Sequence, residues 1–484
     1  MPVPSPVITL AQMREWELAT WAAGVSKEFV MRQAGAALAR AACLLSQPGA
    51  EILVLAGKGH NGDDARFAAE GLADRRTRVF NVTNPAVALA EVNAFSGALI
   101  VDGLFGIGLS RPLIGDWLRL VAALNQSHVP ILAVDVPSGL DADTGLPLGD
   151  AVRATMTVTF GAMKQGLLRA EAAPFTGRLE VAADIGLVPC PFATELNWTL
   201  SRDFAGFPPP RPVDGHKGTF GHLAIFAGSV GYHGAAVLAA QGALRARPGL
   251  VSVYTTERVY SAVAAQLAQA MVHPWFKGTA LPKTCSAILL GPGLAGLDVP
   301  DALQREVARL WTESPLPVIA DASALGWLPR GATPRHALRV VTPHPGEAAA
   351  MLSVDKTHVQ TQREAVLREI SLAYGGSWVL FKGRHTLVGQ ACGGLFVNSS
   401  GNVGLAQGGS GDVLAGFLGG WLAQPLLKSE TERVIRLAVW EHGRAADFLS
   451  ARRPTWTMTQ LVEELGYYQD HFGFGSRDSL HSRP

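Results

Sequence analysis

The chain has 484 residues, which is too long for one ordinary hydrophobic core and therefore predicts two domains. Its 41 basic and 40 acidic residues nearly balance, so no net field would attract nucleic acid or an anionic membrane. No segment has the roughly eighteen consecutive apolar residues of a transmembrane helix, and the N-terminus lacks the pattern of a secretory signal. We therefore expect a cytoplasmic protein with no membrane partner.

The four cysteines are scattered along the chain without C-x-x-C spacing. This spacing makes a zinc site or a disulfide framework improbable and predicts buried thiols in a reducing compartment. Charged residues make up only 17% of the chain, which leaves uncharged surface and favours a homo-oligomer. The cysteines are Cys43, Cys190, Cys285 and Cys392.

The first half alternates helical and strand patterns. Two helices are predicted before the first strand, in "TLAQMREWELATWAAG" and "SKEFVMRQAGAALARAACLL", and Ser26 is the expected N-cap of the second. Short, non-alternating apolar runs follow, which is typical of strands buried on both faces. With helical segments between them, they predict an α/β fold with a parallel sheet covered by helices. These runs are residues 51–57, 97–103, 129–135 and 154–160.

A glycine loop follows the first of these strands, in "LAGKGHNGDDARFAAEGL" (55–72), and opens a helix. This is the general position for a phosphate or ribose group in such folds. The G-x-G-x-x-G spacing is met only as Gly57, Gly59 and Gly62, so the loop alone is a weak indication of dinucleotide binding.

Two aspartates stand at the ends of later strands, Asp102 in "VDGLFGIGLSRPLIG" and Asp135 in "AVDVPSGLDADTG". A single strand-end aspartate is more often a loop cap than a catalytic group. Together with Asn61 and Ser138, however, the two would supply oxygen ligands to a hard cation. The residues alone leave both interpretations open.

A proline-rich segment, "DFAGFPPPRPVDG" (203–215), separates the halves, because it can continue neither a helix nor a central strand. We predict a first domain over 1–205, a linker over 206–215 and a second domain over 216–470. The remaining residues, 471–484, are predicted to form a loose tail.

The second half repeats the α/β pattern and is predicted to end in a hairpin formed by "HTLVGQ" and "GLFVNSS". Its predicted strands lie within residues 221–228, 249–255, 286–293, 316–322, 338–347 and 377–383.

Glycine and polar residues gather where these strands end, the edge at which open α/β sheets bind ligands. Lys382 follows an apolar run, and a buried lysine is unfavourable without an anion, so a phosphate partner is favoured over a lysine that reaches solvent. His344 is equally compatible with a ligand contact and with a loop histidine whose hydrogen bonds are satisfied.

The segment "QGGSGD" (407–412) precedes an apolar run at helical spacing. Unpaired N–H groups at a helix start bind anions, and glycines let a phosphate approach the backbone closely. Asp412, expected at about the first helical position, would face the chemistry beside that phosphate. The alternative is a flexible turn in which Asp412 is only an N-cap.

Five segments of the second half together resemble one known family: "HKGTFGHLAIFAGSVGYHGAAVLAAQGALRARPGLVSV", "GPGL", "TPHPGE", "LFKGRHT" and "NSSGNVGLAQGGSGDVLAG". Over roughly residues 213–450 they are similar to the ADP/ATP-dependent NAD(P)H-hydrate dehydratases, which have a ribokinase-like α/β/α fold. The resemblance implies dehydration of the S epimer of hydrated NADH or NADPH, driven by ADP, or alternatively ATP, with AMP and phosphate as the products of the ADP reaction.

The same resemblance implies two groups of site residues. The family usually has a second acid at the position of Ser323, and this departure leaves the segment after that strand unsettled. Asp412 would be the general base of the reaction. The implied nucleotide site is Lys382, Gly383, Arg384, His385, Thr386 and Gly411, and the implied hydrate site is Ala235, Ala236, Gly293, His344 and Asp412.

The first half resembles the NAD(P)H-hydrate epimerase domain over roughly residues 8–200, most specifically through "VDVPSGLDADTG" and with support from "TFGAMKQGL". The resemblance implies a potassium ion held by Asn61, Asp102 and Ser138, and Asp135 as the proton carrier. The hydrate would be bound by His60, Asn61, Gly62, Asp63, Asp64, Gly106, Ile107, Gly108, Leu109, Ser110, Arg111, Pro112 and Asp135.

One loop departs from the epimerase pattern. The family reads "GNNGGDG" where this chain reads "GHNGDDA", so that His60, Asp63 and Ala65 replace Asn, Gly and Gly. Asp63 adds a negative charge beside a site that should accept phosphates, and it removes the backbone freedom of glycine. Epimerase activity could be weakened or lost with the fold retained; an active epimerase is favoured.

The expectation from both halves is a bifunctional enzyme that repairs hydrated nicotinamide cofactors, with a Rossmann-like N-terminal α/β/α domain and a ribokinase-like C-terminal one. Its substrates would be NADHX and NADPHX (the hydrates of NADH and NADPH) with ADP, and its cofactors potassium and magnesium ions. The alternative is a ribokinase-like small-molecule kinase fused to a non-catalytic N-terminal nucleotide-binding module.

Overall fold

The computed structural model describes residues 4–334 and 337–466. The chain divides into two compact units, an N-terminal unit of residues 4–198 and a C-terminal unit that begins at Thr199. The proline-rich segment 206–215 falls within the C-terminal unit, and the predicted tail, 471–484, lies outside the described residues.

The N-terminal unit is built on a parallel sheet of six strands in the order β3-β2-β4-β5-β6-β8, while β1 pairs separately, parallel with β7 and antiparallel with β9. The strands are β1 (Ser5–Ile8), β2 (Glu51–Ala56), β3 (Arg76–Asn81), β4 (Leu99–Gly103), β5 (Ile131–Val134), β6 (Met156–Phe160), β7 (Met163–Lys164), β8 (Arg178–Ala182) and β9 (Leu196–Trp198). The helices are α1 (Leu10–Ala22), α2 (Lys27–Leu45), α3 (His60–Glu70), α4 (Pro85–Ala94), α5 (Asp116–Gln126) and α6 (Ala173–Thr176), with a 3-10 helix at Gln165–Leu168.

Side chains of β2 show why this sheet has helices on both faces. Ile52 and Val54 pack with residues of α2 and α3, whereas Leu53 and Leu55 pack with residues of α4 and α5. The apolar runs that predicted doubly buried strands are therefore confirmed, and the unit has three layers. Ser26 caps α2 as predicted, because its hydroxyl oxygen accepts a hydrogen bond from the Phe29 N–H at 3.1 Å.

Nine strands are described in the C-terminal unit, in the order β12-β11-β10-β13-β14-β15-β16-β17-β18. The strands are β10 (His222–Phe226), β11 (Leu250–Thr255), β12 (Met271–Pro274), β13 (Ala287–Leu290), β14 (Val318–Ala320), β15 (Arg339–Val341), β16 (Trp378–Phe381), β17 (Leu387–Gly389) and β18 (Leu395–Val397). The pairs are parallel as far as β16, and the last two are antiparallel, so the predicted terminal hairpin is confirmed.

Nine α-helices are described in the C-terminal unit: α7 (His233–Arg245), α8 (Tyr260–Ala264), α9 (Asp301–Glu313), α10 (Pro345–Leu352), α11 (Lys356–Thr361), α12 (Arg363–Ala373), α13 (Ser410–Leu422), α14 (Thr431–Arg452) and α15 (Met458–Glu464). Short 3-10 helices occur at Ser201–Phe204, Glu257–Val259, Ala322–Trp327, Val403–Leu405 and Pro425–Glu430. The core joins α7, α13 and α14 to the central strands.

The cysteines are free, but the prediction that all are buried is wrong: Cys43 and Cys392 are exposed, and Cys190 is half-buried. Cys43 belongs to the C-terminal half of α2 and Cys392 to the turn between β17 and β18, where a small side chain is tolerated at the surface. Across the two described ranges, none of the helices has the length and apolar character needed to cross a bilayer.

Two candidate active sites at glycine-rich helix starts

The glycine loop of the C-terminal unit ends at Gly409, whose φ of +96° lies in the left-handed region that favours glycine. Helix α13 begins at the next residue, and its N-cap offers no side chain to the first N–H groups. Asp412 is the third helical residue rather than the first, so the predicted position was wrong by two. The helix start therefore retains N–H groups for an anion, with a carboxyl group in the same turn.

Close packing brings the middle of α7 against α13. A Cβ at Gly416 would lie 1.8 Å from the Ala239 carbonyl oxygen, and one at Gly242 would lie 2.4 Å from that of Val413. Only glycine allows the two backbones to approach so closely.

Three residues of the predicted hydrate site lie around the start of α7. Gly293 has a φ of +64°, and a Cβ there would lie 2.8 Å from the Cβ of Ala235. Ala236 faces inward, since its Cβ would lie 2.9 Å from a Cβ at Gly228. The structure thus brings Ala235, Ala236 and Gly293 together.

A charged cluster lies beside the α13 start. The Lys382 ammonium group donates to Asp321 Oδ1 at 2.8 Å and lies 3.6 Å from Glu347 Oε2. A Cβ at Gly411 would be 3.5 Å from the same Nζ atom, which places Lys382 against the glycine loop. Thr342 also donates to Asp321, at 2.5 Å. Lys382 thus has carboxylate partners in this structure and also lies beside the predicted anion site.

These neighbours shift the pKa values of the cluster. Burial, with further contributions from Asp321 and Glu347, raises the pKa of Asp412 to about 7, although Lys382 acts in the opposite direction. Burial alone would lower the pKa of Lys382, but the charges of Asp321, Glu347 and Asp412 outweigh it and raise that pKa. A carboxyl group that titrates near neutrality is suited to accept a proton during a reaction.

His344 is the N-cap of α10 and is tied to the same cluster. Its Nδ1 accepts hydrogen bonds from the N–H groups of Gly346 at 3.0 Å and Glu347 at 3.2 Å. The backbone N–H of His344 donates to Glu347 Oε2 at 2.7 Å. The ring therefore satisfies backbone N–H groups, as expected of a loop histidine. Its exposed Nε2 lies 3.5 Å from Glu347, and Glu347 in turn lies 3.6 Å from Lys382, so the position also fits a residue that contacts a ligand.

The predicted nucleotide segment, 382–386, connects β16 to β17. Gly383 has a φ of +141° and His385 a φ of +52°, so the backbone is left-handed at two of its positions. Burial is the main cause that lowers the pKa of His385 to about 3, so its ring is neutral near pH 7. Gly383 and Arg384 are exposed, and Thr386 donates to the Gly383 carbonyl at 3.3 Å.

The N-terminal unit has a second glycine-rich helix start, at Gly59 before α3. A Cβ at Gly57 would lie 2.2 Å from the Leu104 carbonyl oxygen, and one at Gly62 would lie 2.1 Å from that of Gly57. These glycines are required by close backbone approach. His60 is exposed at the first helical position, and Asp64 is buried one turn further in.

The predicted potassium ligands lie in one cluster. Ser138 donates to Asp102 through its hydroxyl at 2.6 Å and through its N–H at 2.9 Å. A Cβ at Gly106 would lie 2.7 Å from Asn61 Oδ1, and the hydroxyl oxygen of Ser138 accepts a hydrogen bond from the Phe105 N–H at 2.8 Å. Burial raises the pKa of Asp102 to about 6, against the effect of its hydrogen bonds.

These residues fit a monovalent cation. The carboxyl group of Asp102 is fully buried, and within the described part of the chain it accepts hydrogen bonds from N–H and hydroxyl groups rather than from a positively charged side chain. Carboxylate, hydroxyl and amide oxygens are ligands of hard cations, and Asp102, Ser138 and Asn61 offer one of each.

Asp135 follows β5 with a φ of +61° and forms a buried ion pair. Its Oδ1 accepts hydrogen bonds from Lys164 Nζ at 2.7 Å and from Thr159 at 2.9 Å. Lys164 is fully buried and also donates to Thr159 and to the carbonyl of Phe160. The ion pair thus holds the Asp135 carboxylate at the end of its strand.

Two further acids share this environment. Burial, together with the charges of Asp135, Asp63 and Glu17, raises the pKa of Asp64 to about 8. Burial and the charge of Asp135 also raise the pKa of Glu17. A protonated Asp64 therefore lies in the electrostatic range of the charged Asp135, a combination that can donate and accept protons at one site.

The departures in the 60–65 loop have clear surroundings. Asp63 forms an ion pair with Arg66 at 2.7 Å, and Arg66 also donates to the Gly57 carbonyl at 2.8 Å. Ala65 is fully buried and faces Gly103, where an added Cβ would lie 2.5 Å away. The extra negative charge thus has a positive partner within the same helix.

The rest of the predicted hydrate site is the loop after β4. Gly106 lies against Asn61, and the Ile107 carbonyl accepts a hydrogen bond from Arg14 at 3.3 Å. Ile107 and Leu109 are half-buried, whereas Gly108, Ser110, Arg111 and Pro112 are exposed. Only the first part of this loop is in contact with the α3 start.

Comparisons with known proteins identify the family to which both halves of the chain belong. Residues 223–466 match the family model described as NAD(P)H-hydrate dehydratase, and residues 27–92 and 82–166 match that of the YjeF-related protein N-terminus. The chain is 34% identical to the bifunctional NAD(P)H-hydrate repair enzyme Nnr of Coxiella burnetii, over 90% of this chain and 93% of that one. It is 35% identical to the enzyme of the same name from Gloeobacter violaceus, over 92% and 94%. The chain belongs to the bifunctional NAD(P)H-hydrate repair enzyme family.

A solved structure agrees with this family's ribokinase-like C-terminal half. The ribokinase-like superfamily protein of Enterococcus faecalis is 26% identical to the chain. The match covers 58% of this chain and 98% of that protein, with a TM-score of 0.50. The predicted fold class, two α/β units with a ribokinase-like second unit, is confirmed.

Several residues that the structure places near these sites were left unassigned from the sequence alone, among them Asp321, Glu347, Arg363, Glu17 and Lys164. The available signal was local: Asp321 stands directly after the buried strand β14, and Glu347, in "TPHPGE", is the third residue of α10. Ser323, where the family has a second acid, lies in the 3-10 helix after Asp321. Glu17 and Arg363 had no local signal, because each reaches its site from a distant helix.

Proposed function

We propose that the C-terminal unit dehydrates the S epimer of NADHX and NADPHX with ADP as phosphoryl donor. The observation that carries this proposal is the position of Asp412, whose pKa is raised to about 7. It lies in the first turn of α13, which follows a glycine N-cap without a side chain, and Lys382 lies beside this helix start. Membership of the family supports it.

In the proposed reaction Asp412 accepts the proton of the C6 hydroxyl while that oxygen attacks the β-phosphorus of ADP and AMP leaves. The C6–O bond then breaks and inorganic phosphate departs, and loss of a proton from C5 to phosphate or water forms the C5–C6 double bond of the reduced nicotinamide. N–H groups at the α13 start would bind the transferred phosphoryl group, and Lys382 would exchange a carboxylate partner for it. Burial of Asp412 makes it basic enough for this step near neutral pH.

Magnesium would neutralise charge on the nucleotide. Magnesium in such sites binds through one or two carboxylates together with substrate phosphates. Asp321 and Glu347, the two carboxylates beside Lys382, would hold it together with the phosphates of the nucleotide.

The N-terminal unit is proposed to epimerise the R and S hydrates. Asp135, charged through its ion pair with Lys164, would accept the hydroxyl proton at C6, and Asp64, with its raised pKa, would supply a proton to the opening ring. Potassium at Asn61, Asp102 and Ser138 would neutralise the buried Asp102 and fix the loop after β4.

The test is an assay of the full chain on mixed hydrate epimers with ADP, then ATP. We expect recovery of the near-ultraviolet absorbance of reduced nicotinamide, with one inorganic phosphate released per molecule restored. A stable phosphate ester without that recovery would contradict the proposal and support a small-molecule kinase. The homo-oligomer and the cytoplasmic location stay predictions.

A further inference from the structure

The loop that is predicted to bind the nucleotide is held by a residue of another helix. Arg363 is the first residue of α12, and its guanidinium group donates to the carbonyl of Arg384 at 2.6 Å. It also donates to the carbonyls of Phe381 and His385, each at 3.4 Å. The three acceptors lie at the end of β16 and in the loop that follows, so one side chain connects the whole turn.

The loop needs such support because its backbone is unusual. The φ of +141° at Gly383 is accessible to glycine, and the φ of +52° at His385 is unfavourable for a residue with a Cβ. A conformation of this kind persists only where its surroundings stabilise it. Arg363 supplies a planar group whose several N–H donors fit three carbonyls at once, which the flexible ammonium group of lysine cannot reproduce.

Arg363 is itself fixed in place. Its guanidinium carbon lies 5.1 Å from the centroid of the Phe381 ring, and a Cβ at Gly383 would lie 3.3 Å from its Nη2. The guanidinium group is therefore packed against both the Phe381 ring and the loop. The absence of a side chain at Gly383 leaves room for Arg363.

We propose that Arg363 is a positioning residue for the nucleotide: it holds the loop 382–386 in the conformation that receives ADP. This inference rests on the proposed function of that loop. In the absence of Arg363 the three carbonyls lose a shared donor and the loop gains freedom, which ADP must then remove on binding. The hydrogen bonds of Arg363 go to the loop and not to Asp412 or the hydrate site, so the main effect falls on nucleotide affinity.

The same helix offers a matched control. Arg368 donates to the carbonyls of Gln390, Ala391 and Gly393 at 3.0–3.3 Å, in the turn that follows β17. It is an arginine on α12 that also binds several backbone carbonyls, but its loop lies at the other end of β17 from the nucleotide segment. Arg368→Ala removes a comparable network without touching the loop 382–386.

The experiment measures kcat, the KM for ADP and the KM for the S hydrate in the full chain and its variants. Arg363→Ala should raise the KM for ADP by about tenfold to a hundredfold, the loss expected for hydrogen bonds from a charged donor. The kcat and the KM for the hydrate should change by less than about threefold. Arg363→Lys should give an intermediate KM, and Arg368→Ala should remain within about twofold of the unmodified chain.

Two outcomes would overturn the inference: folded Arg363→Ala and Arg363→Lys variants with unchanged KM for ADP, or an equal rise in Arg368→Ala. If Arg363→Ala does not fold, the comparison of Arg363→Lys with Arg368→Lys decides in the same way. Calorimetric titration of the unmodified chain with ADP separates the proposed function from the inference, because absence of ADP binding there would refute the function itself. Faster amide hydrogen exchange in 382–386, in Arg363→Ala only, would further support the proposed role.

Discussion

The two glycine-rich helix starts, at α3 and at α13, have similar local structure. They differ in the environment of the nearby lysine, Lys164 in the first and Lys382 in the second. Both helices follow a glycine N-cap that carries no side chain, and both have an aspartate within the first two turns, buried at Asp64 and half-buried at Asp412. In both, burial is the first cause that raises the aspartate's pKa, to about 8 for Asp64 and about 7 for Asp412. Each site therefore holds a carboxyl group able to exchange a proton near neutrality.

The lysines divide the two chemistries. Lys164 is fully buried and donates to Asp135, Thr159 and the Phe160 carbonyl, so its donors are used within the protein. Lys382 retains 19% of its side-chain exposure and lies beside the α13 start. A lysine with all its donors engaged holds a carboxylate in position, whereas one at the edge of a site can move to an incoming phosphate. The difference fits a reaction without a cosubstrate in one unit and a nucleotide-driven reaction in the other.

The largest expected effect is the loss of dehydration in Asp412→Asn. The variant keeps the shape of the side chain but cannot accept the hydroxyl proton, so kcat should fall by roughly a hundredfold to ten-thousandfold. Calorimetry should show ADP binding close to that of the unmodified chain.

Epimerisation by the other unit is the internal control for this variant, since Asp412 belongs only to the C-terminal site. Dehydration at the normal rate in Asp412→Asn would remove the assigned base and, with it, the parallel between the two helix starts.

Lys164→Met should destabilise the N-terminal unit by about 3–5 kcal/mol, because it leaves the buried carboxylate of Asp135 without its cation. Chemical denaturation followed by tryptophan fluorescence measures this change. The double variant Lys164→Met with Asp135→Asn should recover much of the loss, since neither charge then remains buried. If the single variant were as stable as the unmodified chain, Lys164 would not have the holding role given to it here.

Dehydration should depend on pH through Asp412. Because burial raises its pKa to about 7 and the base must be deprotonated, kcat/KM should be level above that pH and fall with decreasing pH below it. The limiting fall is about tenfold per pH unit for a single group. A profile that stays level down to pH about 5 would contradict this assignment.

Asp321→Asn should move that acid limb to lower pH. Asp321 is a like charge that raises the pKa of Asp412, and its removal also frees Lys382, which lowers it. The pH profile of kcat/KM measures the displacement. Arg309→Gln is a suitable control, because it changes an exposed charge in ion pairs on α9. A limb that moves to higher pH in Asp321→Asn would contradict the charge arrangement.

The smallest effect is expected for Asp63→Gly. It removes a partly exposed ion pair with Arg66 and adds a glycine to α3, so stability should fall by about 1 kcal/mol. Epimerisation should be unchanged or raised, because a negative charge leaves the site. Asp63→Ala separates the charge from the backbone freedom of glycine, and a clear fall in epimerisation in both variants would show that Asp63 has a function of its own.

Local patterns were sufficient to predict much of the fold. Strands buried on both faces, such as β2 and β13, are recognisable in the sequence as apolar runs, and Ser26 predicts the start of α2 as its N-cap. The edge strand β3, "RTRVFN", was missed because most of its side chains are exposed and it lacks an apolar run. Short pairings such as that of β1 with β7 depend on residues far apart in sequence, which no local pattern records.

The candidate sites were predictable in their loops and not in their partners. Glycines at 57, 62 and 409 occupy positions that close approach or a positive φ requires, so their spacing carried information. The partners of Asp135 and Lys382 come from Lys164 and from Asp321, which lie 29 and 61 residues away. Such pairs are determined by tertiary packing. The same holds for the exposure of Cys43, since tertiary packing determines which face of α2 is buried.

The most direct test follows pure R hydrate and ADP with the full chain by chromatography that separates the epimers. We predict that R declines, S appears as a transient, and reduced nicotinamide accumulates together with an equal amount of phosphate. Accumulation of S without ADP, and its consumption only when ADP is added, would locate the two steps in two separate sites. Persistence of R hydrate while added S hydrate is consumed would contradict the account, because the N-terminal helix start would then hold no epimerase.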